Sequence, residues 1–436
     1  MLKYFCLILC ISSILIYYIW VIINSQNIPF ADDLSFMANL YDIQTASSFT
    51  DKINIFFAFH NEHKLLYPRL LVWILARLQG GIIDIRWWIW IGNSFLLGVL
   101  YIFYISFKSY QKPFIYFVPV VLFFFQPIYI ELTYWGMASI QNIGILLVSS
   151  LVLYKISTYD TDIKKIFILF LLTVSAVFTS ANGLVLVPII AGILLLKKRY
   201  NLLSIWIILG CILFWFYWHD FNPQIHSVAI KRTISGVVLS FFALLGSFLE
   251  SQRYGKFTIV AGVFIAIAMA YLLWPILKII LKSEFKKISN SQLFLLSYFI
   301  FLLLTITVIA FNRNFEDALH VSRYKIYSVL ILIVMYFLII RRYQVSIHII
   351  YVLIIGCTGF AVYNYKRANA VTHAHSQLLN QQLNKWFYLQ QLDAPTPLQG
   401  QYYATRWTAL YLQGAYIPPI ESRNPSKHGN RIAKPK

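Results

Sequence analysis

The stretch that decides the fold is Phe5-Cys6-Leu7-Ile8-Leu9-Cys10-Ile11-Ser12-Ser13-Ile14-Leu15-Ile16-Tyr17-Tyr18-Ile19-Trp20-Val21-Ile22-Ile23, followed closely by Ile28-Pro29-Phe30-Ala31-Asp32-Asp33. The first part is an apolar run long enough to cross a bilayer as a helix. The second sets two carboxylates just past its end. Charge so near hydrocarbon is costly and tends to be kept for a function. A second charged cluster, His60-Asn61-Glu62-His63-Lys64, closes the same polar loop.

The rest of the chain has the same character. Of 436 residues, 59% are hydrophobic and 12% charged, and the mean hydropathy is +0.68. A soluble domain does not carry that much apolar surface, whereas a polytopic helical membrane protein does. Phe, Trp and Tyr make up 18%, which suits many water–lipid boundaries. The net charge of +20 sits mostly in short loops between apolar segments. Topology therefore accounts for it, and nucleic-acid binding is excluded for want of a soluble domain with a basic stripe. Cys6, Cys10, Cys211 and Cys357 all fall within apolar spans and read as core residues rather than disulfides or ligands. The start, Met1-Leu2-Lys3, has no small-x-small cleavage site before Asn24-Ser25, so the first span reads as an uncleaved anchor.

Apolar segments at 5–23, 87–107, 113–130, 139–157, 166–181, 183–196, 202–218, 257–281, 292–311, 324–340 and 345–363 predict about eleven transmembrane helices. With the N-terminus cytoplasmic, Lys108, Lys112, Lys155, Lys164, Lys165, Lys197, Lys198, Arg199, Lys282, Lys286, Lys287, Arg341 and Arg342 all fall on the cytoplasmic side. That parity requires 65–79, which carries Arg69 and Arg77, to be interfacial. It also requires 234–249 to be re-entrant. The expected fold is all-α, with a membrane domain at 1–363 and interfacial helices in its first outer loop, 24–64. A short basic extracytoplasmic tail at 364–436 follows, with a helix near 376–391.

The polar residues of interest gather on the outer side. At Asp32-Asp33 one acid can cap a helix beginning at Leu34 while the other acts as a general base; Asp33 is favoured as the base. His60 and His63 are three apart, but this is not the H-E-x-x-H zinc pattern, so no metal site is assigned. Glu62, His63 and Arg69 are better suited to a sugar or phosphate. Outer-side Lys231, Arg232, Arg313 and Arg323 run against the positive-inside bias, and an anionic substrate accounts for them. Arg323 enters a span beside Tyr324, with Tyr327 three further on, and its planar fork suits phosphate. Thr133-Tyr134-Trp135-Gly136 with Gln141-Asn142 adds aromatics and amides, and Ser180-Ala181-Asn182-Gly183 reads as a tight outer turn. The chain has no P-loop, no Rossmann glycine fingerprint and no G-x-S-x-G.

The Asp32-Asp33 pair after the first span, the 60–69 stretch and Ser322-Arg323-Tyr324 together resemble the GT-C superfamily of bacterial membrane glycosyltransferases, which use polyprenyl-phosphate-linked sugars. Within it the layout is similar to the serotype-converting transferases that decorate O-antigen. The resemblance implies a GT-C-like bundle in the bacterial inner membrane, a polyprenyl-phosphate-sugar donor and a glycan acceptor. It implies an acidic residue of the first outer loop, Asp33 or Asp32, as catalytic base. It also implies donor-phosphate binding by Arg323; the reading of the residues themselves adds Tyr324, Arg69, Glu62, His63, Lys231 and Arg232 as further substrate contacts. No particular cofactor is assigned; a divalent metal is compatible with such chemistry but is not indicated by the residues. The tail is shorter than the soluble domain such enzymes carry. The competing readings are an O-antigen polymerase, which needs a longer central outer loop, and a transporter or flippase of lipid-linked sugars, which needs charge at mid-membrane.

Overall fold

The computed structural model describes residues 2–160, 162–222, 233–249, 255–313, 315–394 and 396–419. Apart from one short hairpin, β1 (Phe59–His60) with β2 (His63–Lys64), its regular structure is helical. Eight helices among the described residues are long and apolar enough to cross a membrane. They are α1 (Leu2–Asn24), α5 (Ile85–Lys108), α7 (Gly136–Thr158), α10 (Tyr200–Trp218), α12 (Gly255–Leu281), α13 (Asn290–Asn312), the segment Ser322–Arg342 that contains α15 (Lys325–Arg342), and α16 (Ile347–Leu389). These mark a polytopic helical membrane protein.

Three of the eleven expected spans differ. The one at 113–130 is a broken pair, Phe114–Phe124 and Pro127–Thr133, bent by 53° and containing α6 (Val118–Phe124). Gln126 precedes Pro127, and the proline ring forces it extended, at φ −150° and ψ 152°. The opened backbone is satisfied in place: the fully buried Gln126 side chain donates to the Phe123 carbonyl at 2.8 Å and accepts from Asn364 at 2.8 Å. The other two are short. α8 (Ile163–Val177) has 15 residues, and α9 (Leu186–Leu196) has 11, preceded by a 3-10 turn, Ala181–Val185. The segments 65–79 and 234–249, expected not to cross, form α4 (Leu66–Leu78) and α11 (Ile234–Leu245), of 13 and 12 residues. At 1.5 Å per residue each is about 20 Å, short of a hydrocarbon core of about 30 Å.

The first loop holds α2 (Asp33–Thr45) and α3 (Phe49–Phe57), the latter capped by Ser48. α5 and α7 pack closely because Gly92 lacks a side chain: a Cβ there would lie 2.3 Å from Ser139 Oγ. One end of the bundle gathers the basic loops. Lys197 Nζ donates to the Ile156 carbonyl at 2.6 Å, Arg199 pairs with Asp160, and Arg341 Nη2 donates to Ser289 Oγ at 2.6 Å. The acidic and amide residues singled out in the sequence lie at the other end.

The chain does not break at 363. α16 runs 43 residues, about 65 Å, more than twice the hydrocarbon thickness. Gln390 ends it in the left-handed conformation, at φ 55°. After it α17 (Pro397–Leu412), capped by Thr396 with Pro397 in its first turn, folds back onto α2. Tyr402 Oη donates to Asp42 at 2.6 Å and Arg406 Nε at 3.1 Å. The expected tail helix near 376–391 is thus the far part of one continuous helix.

Candidate functional site

A cavity of about 530 Å³ opens at the end of the bundle opposite the basic loops. Six regions far apart in sequence line it: Asp32; His60 to His63; Trp135 to Asn142; Ser180 to Val185; the end of α10 at Phe214 and Trp218; and Thr305 to Arg313 with Arg323, Tyr324 and Tyr327. The sequence-stretch candidates Asp32, Glu62, His63, Arg323 and Tyr324 therefore meet in one place. The two weaker signals, Trp135 with Gln141-Asn142 and the Ser180-Ala181-Asn182 turn, join them.

The two aspartates separate. Asp33, favoured as the base, is fully buried and does not line the cavity. Its carboxylate accepts the Met137 N–H at 2.7 Å, the Phe30 N–H at 3.2 Å and the Gly136 N–H at 3.3 Å. It thus caps α7, whose first N–H groups have no partners within the helix. Burial pushes its pKa up to about 7 against the pull of these donors. Asp33 is a structural cap, and this corrects the expectation that it is the base.

Asp32 faces the cavity with 37% of its side chain exposed, and His60 Nε2 lies 3.2 Å from its Oδ1. Burial works against its charge, but His60, then Arg323 and Arg313, outweigh it and hold the pKa below the usual carboxylate value. Asp32 is an accessible anion at neutral pH. The residue before it, Ala31, sits at φ 48°, a region alanine occupies only where its surroundings impose it.

The cationic wall is built around Tyr324. Its hydroxyl accepts from Arg313 Nε at 3.0 Å and Arg323 Nη2 at 3.4 Å. The Arg323 guanidinium lies 4.9 Å from both the Trp135 and the Tyr324 ring centres and pairs with Glu131 at 3.0 Å. Glu131 also accepts the Arg323 backbone N–H at 3.2 Å, so the guanidinium is fixed in orientation at the cavity edge. Arg313 reaches Glu62 at 3.6 Å.

His63 Nδ1 accepts the Ala181 N–H at 3.2 Å. A ring nitrogen used as an acceptor carries no proton, so the hydrogen of neutral His63 is on Nε2, which lies 3.7 Å from Glu62. Burial, helped by His60 and Arg313, pushes the His63 pKa down to about 4 against Glu62. Among the described residues, no three His, Cys, Asp or Glu side chains gather closely enough to hold a metal ion.

Two expected contacts are elsewhere. Arg69 is buried outside the cavity, where its Nη1 donates to the Phe56 and Ala58 carbonyls, and burial pushes its pKa down to about 10. It fastens the end of α3 to α4 and is not a substrate contact, a correction to that expectation. Lys231 and Arg232 lie outside the described residues. Sequence reading missed the roles of His60 as partner of Asp32 and of Glu131 as partner of Arg323. Both were visible as charges in the relevant stretches, but pairing across 28 and 192 positions leaves no local signal.

No family model, curated protein or solved structure matches this chain.

Proposed function

We propose that the protein is an integral-membrane glycosyltransferase of GT-C type. It moves a sugar from a polyprenyl-phosphate donor to a glycan acceptor, as in O-antigen modification, at the outer face of a bacterial inner membrane. The observation that carries this reading is the cavity itself, where an exposed anionic Asp32 shares a chamber with Arg313, Arg323 and Tyr324 amid Trp135, Trp218 and Tyr327. A base, a phosphate-sized cationic wall and flat aromatic surfaces are what sugar transfer from a phosphate needs.

In this account the arginine wall neutralises the donor phosphate. Asp32 takes the proton from an acceptor hydroxyl. That oxygen attacks the anomeric carbon as the bond from this carbon to the phosphate oxygen breaks, and polyprenyl phosphate leaves with the electron pair. A single displacement inverts the anomeric centre. The guanidinium of Arg323, already held by Glu131 and stacked on Trp135, meets charge developing on the leaving phosphate with little reorganisation. With the basic loops taken as cytoplasmic, following the positive-inside bias, the cavity faces outside in this account. The broken pair counts as one further crossing, and α8 and α9 as two more because they join the cavity at Ser180-Ala181 to the basic loops at Lys165 and Lys197, which makes eleven in all.

The test is transfer of labelled sugar in membranes given a panel of polyprenyl-phosphate-linked sugars and lipopolysaccharide acceptor. Label that moves with wild type and, at limiting donor, about 10- to 100-fold more slowly with Arg323→Lys supports the reading. Donor that crosses the bilayer without transfer makes the protein a flippase.

A further inference from the structure

From the cavity towards the basic loops the bundle holds a second opening, an apolar groove of about 300 Å³ between α9 and α13 with Leu277 of α12 at its side. α9 lines it from Pro188 through Gly192 to Leu196, residues four apart that share one face of a helix. α13 lines it from Leu304 through Ile300 to Leu293. Three observations point to a ligand. First, the groove continues the cavity. Val185 and Thr305 line the cavity, and Pro188 and Leu304, the next turn and the next residue, line the groove. Second, the only polar side chain in it is Ser297, whose hydroxyl donates to the Phe294 carbonyl at 2.9 Å. A sugar or phosphate there would find no side-chain donor, whereas a hydrocarbon chain needs none. Third, Gly192 faces open space, where a Cβ would meet nothing within 4 Å. Glycine weakens a helix relative to alanine, and here it keeps the floor of the groove clear.

Depth decides the occupant. Leu196 precedes Lys197, and Leu293 lies one turn past Ser289, so the groove ends beside the basic loops, at the opposite end of the bundle from the cavity. From Arg313 of the cationic wall to Leu293 is about 30 Å along α13 at 1.5 Å per residue. That is the full thickness of a hydrocarbon core, and the acyl chains of a phospholipid headed at the cavity would cover half of it. An extended isoprene unit adds about 5 Å, four bonds of about 1.5 Å laid in zigzag, so about six units reach the end of the groove. We propose that the groove seats the polyprenyl chain of a lipid phosphate headed at the arginine wall, and that the protein thereby reads the length of its carrier. This rests on the proposed function for the phosphate at the arginines and the sugar it bears. At about 300 Å³ the groove is at the small end of ligand cavities and takes a single chain. Leu277 and Leu304 are exposed at its side, so the chain enters laterally from the bilayer. The same apolarity denies the head group a way along the groove, which keeps the sugar at the cavity.

The test uses full-length protein in phosphatidylcholine nanodiscs. The probes are prenyl phosphates of three, six and eleven isoprene units, each with a diazirine at the chain end and no sugar. On illumination the six-unit probe is expected to label peptides around Leu196 and Leu293, and the three-unit probe those around Thr305. Lipid is as apolar as the groove, so packing alone sets the gain, and affinity should rise about 3- to 10-fold from three to six units and no further at eleven. Gly192→Phe grows into the open space and should remove both the deep labelling and the rise, with three-unit binding as in wild type. Gly356→Phe, on α16 where a Cβ also meets nothing, should change neither. Six-unit label spread over the lipid-facing helices, or a length dependence that survives in Gly192→Phe, overturns the proposal. So does a diazirine phosphatidylcholine that labels the groove and is not displaced by the six-unit probe, which makes it a phospholipid site. Groove labelling without sugar transfer from any donor would uphold the carrier site and remove the transferase reading. Sugar transfer without length dependence would do the reverse.

Discussion

Removing the carboxylate of Asp33 should unfold the cavity end of the protein, whereas removing that of Asp32 should not. Asp33→Ala strips the acceptor from the buried Gly136 and Met137 N–H groups at the start of α7. Each orphaned buried donor costs about 1–3 kcal/mol, so the pair costs about 2–6 kcal/mol. Water entering the space lowers this figure, and lost packing raises it. Asp33→Asn keeps one acceptor oxygen and should cost roughly half as much. Asp32 is more than one-third exposed and its ion pair with His60 is worth at most about 1 kcal/mol, so Asp32→Asn should melt close to wild type. Its cost falls on chemistry instead, where a lost general base slows transfer about 10²- to 10⁴-fold. Thermal melts in detergent with a thiol-reactive dye read this directly, because Cys6 and Cys10 are buried free thiols. Asp33→Ala should expose the buried thiols several degrees early. A wild-type melt for Asp33→Ala, together with an early melt for Asp32→Asn, would refute the separation of roles.

Four further outcomes follow from the same geometry. Arg323→Lys keeps the charge but loses the planar fork held by Glu131, Trp135 and Tyr324, and should raise the donor KM about 10- to 100-fold in transfer assays, with a smaller effect on the melt. Arg69→Met leaves the Phe56 and Ala58 carbonyls without their donor and should cost about 2–4 kcal/mol in melts, with the KM of the surviving fraction unchanged. Asp33 has a folded pKa of about 7 against about 3.9 unfolded, so the stability it lends is full below pH 4 and is lost as pH rises through 7. At about 1.4 kcal/mol per unit, wild type should lose about 4 kcal/mol over that window relative to Asp33→Asn. His63 runs the other way: its folded pKa of about 4 lies below the unfolded value of about 6.5, so its contribution is present above 6.5 and lost as pH falls to 4. His63→Gln, which keeps an acceptor for the Ala181 N–H, should flatten that acid loss in parallel melts.

What was legible in the sequence was whatever depends on local composition. Apolar runs located all eight long helices, and basic loops located one end of the bundle, because both are set by the cost of polar groups in lipid. The same rule marked Asp32, Glu62, His63, Arg323 and Tyr324, charged or polar groups at span ends that do meet in one cavity. Failures came where a long-range partner decides the role. Asp32 and Asp33 are adjacent, and only the arrival of the α7 N-terminus beneath Asp33 makes one a cap and leaves the other facing the cavity. Arg69 looked like the other outer cations until the carbonyls of α3 turned towards it. The tail read as detached because its contacts with Asn27 and Asp42 lie more than 350 positions away.

The central claim is that Asp32 is the base of a sugar transfer, and mass and linkage analysis of surface polysaccharide tests it most directly. Bacterial cells would carry wild-type protein, Asp32→Asn or no protein, with membrane levels matched by immunoblot. A sugar branch present with wild type and absent in the other two is the predicted result. The same branch in wild type and Asp32→Asn, or the same glycan in all three, would contradict it.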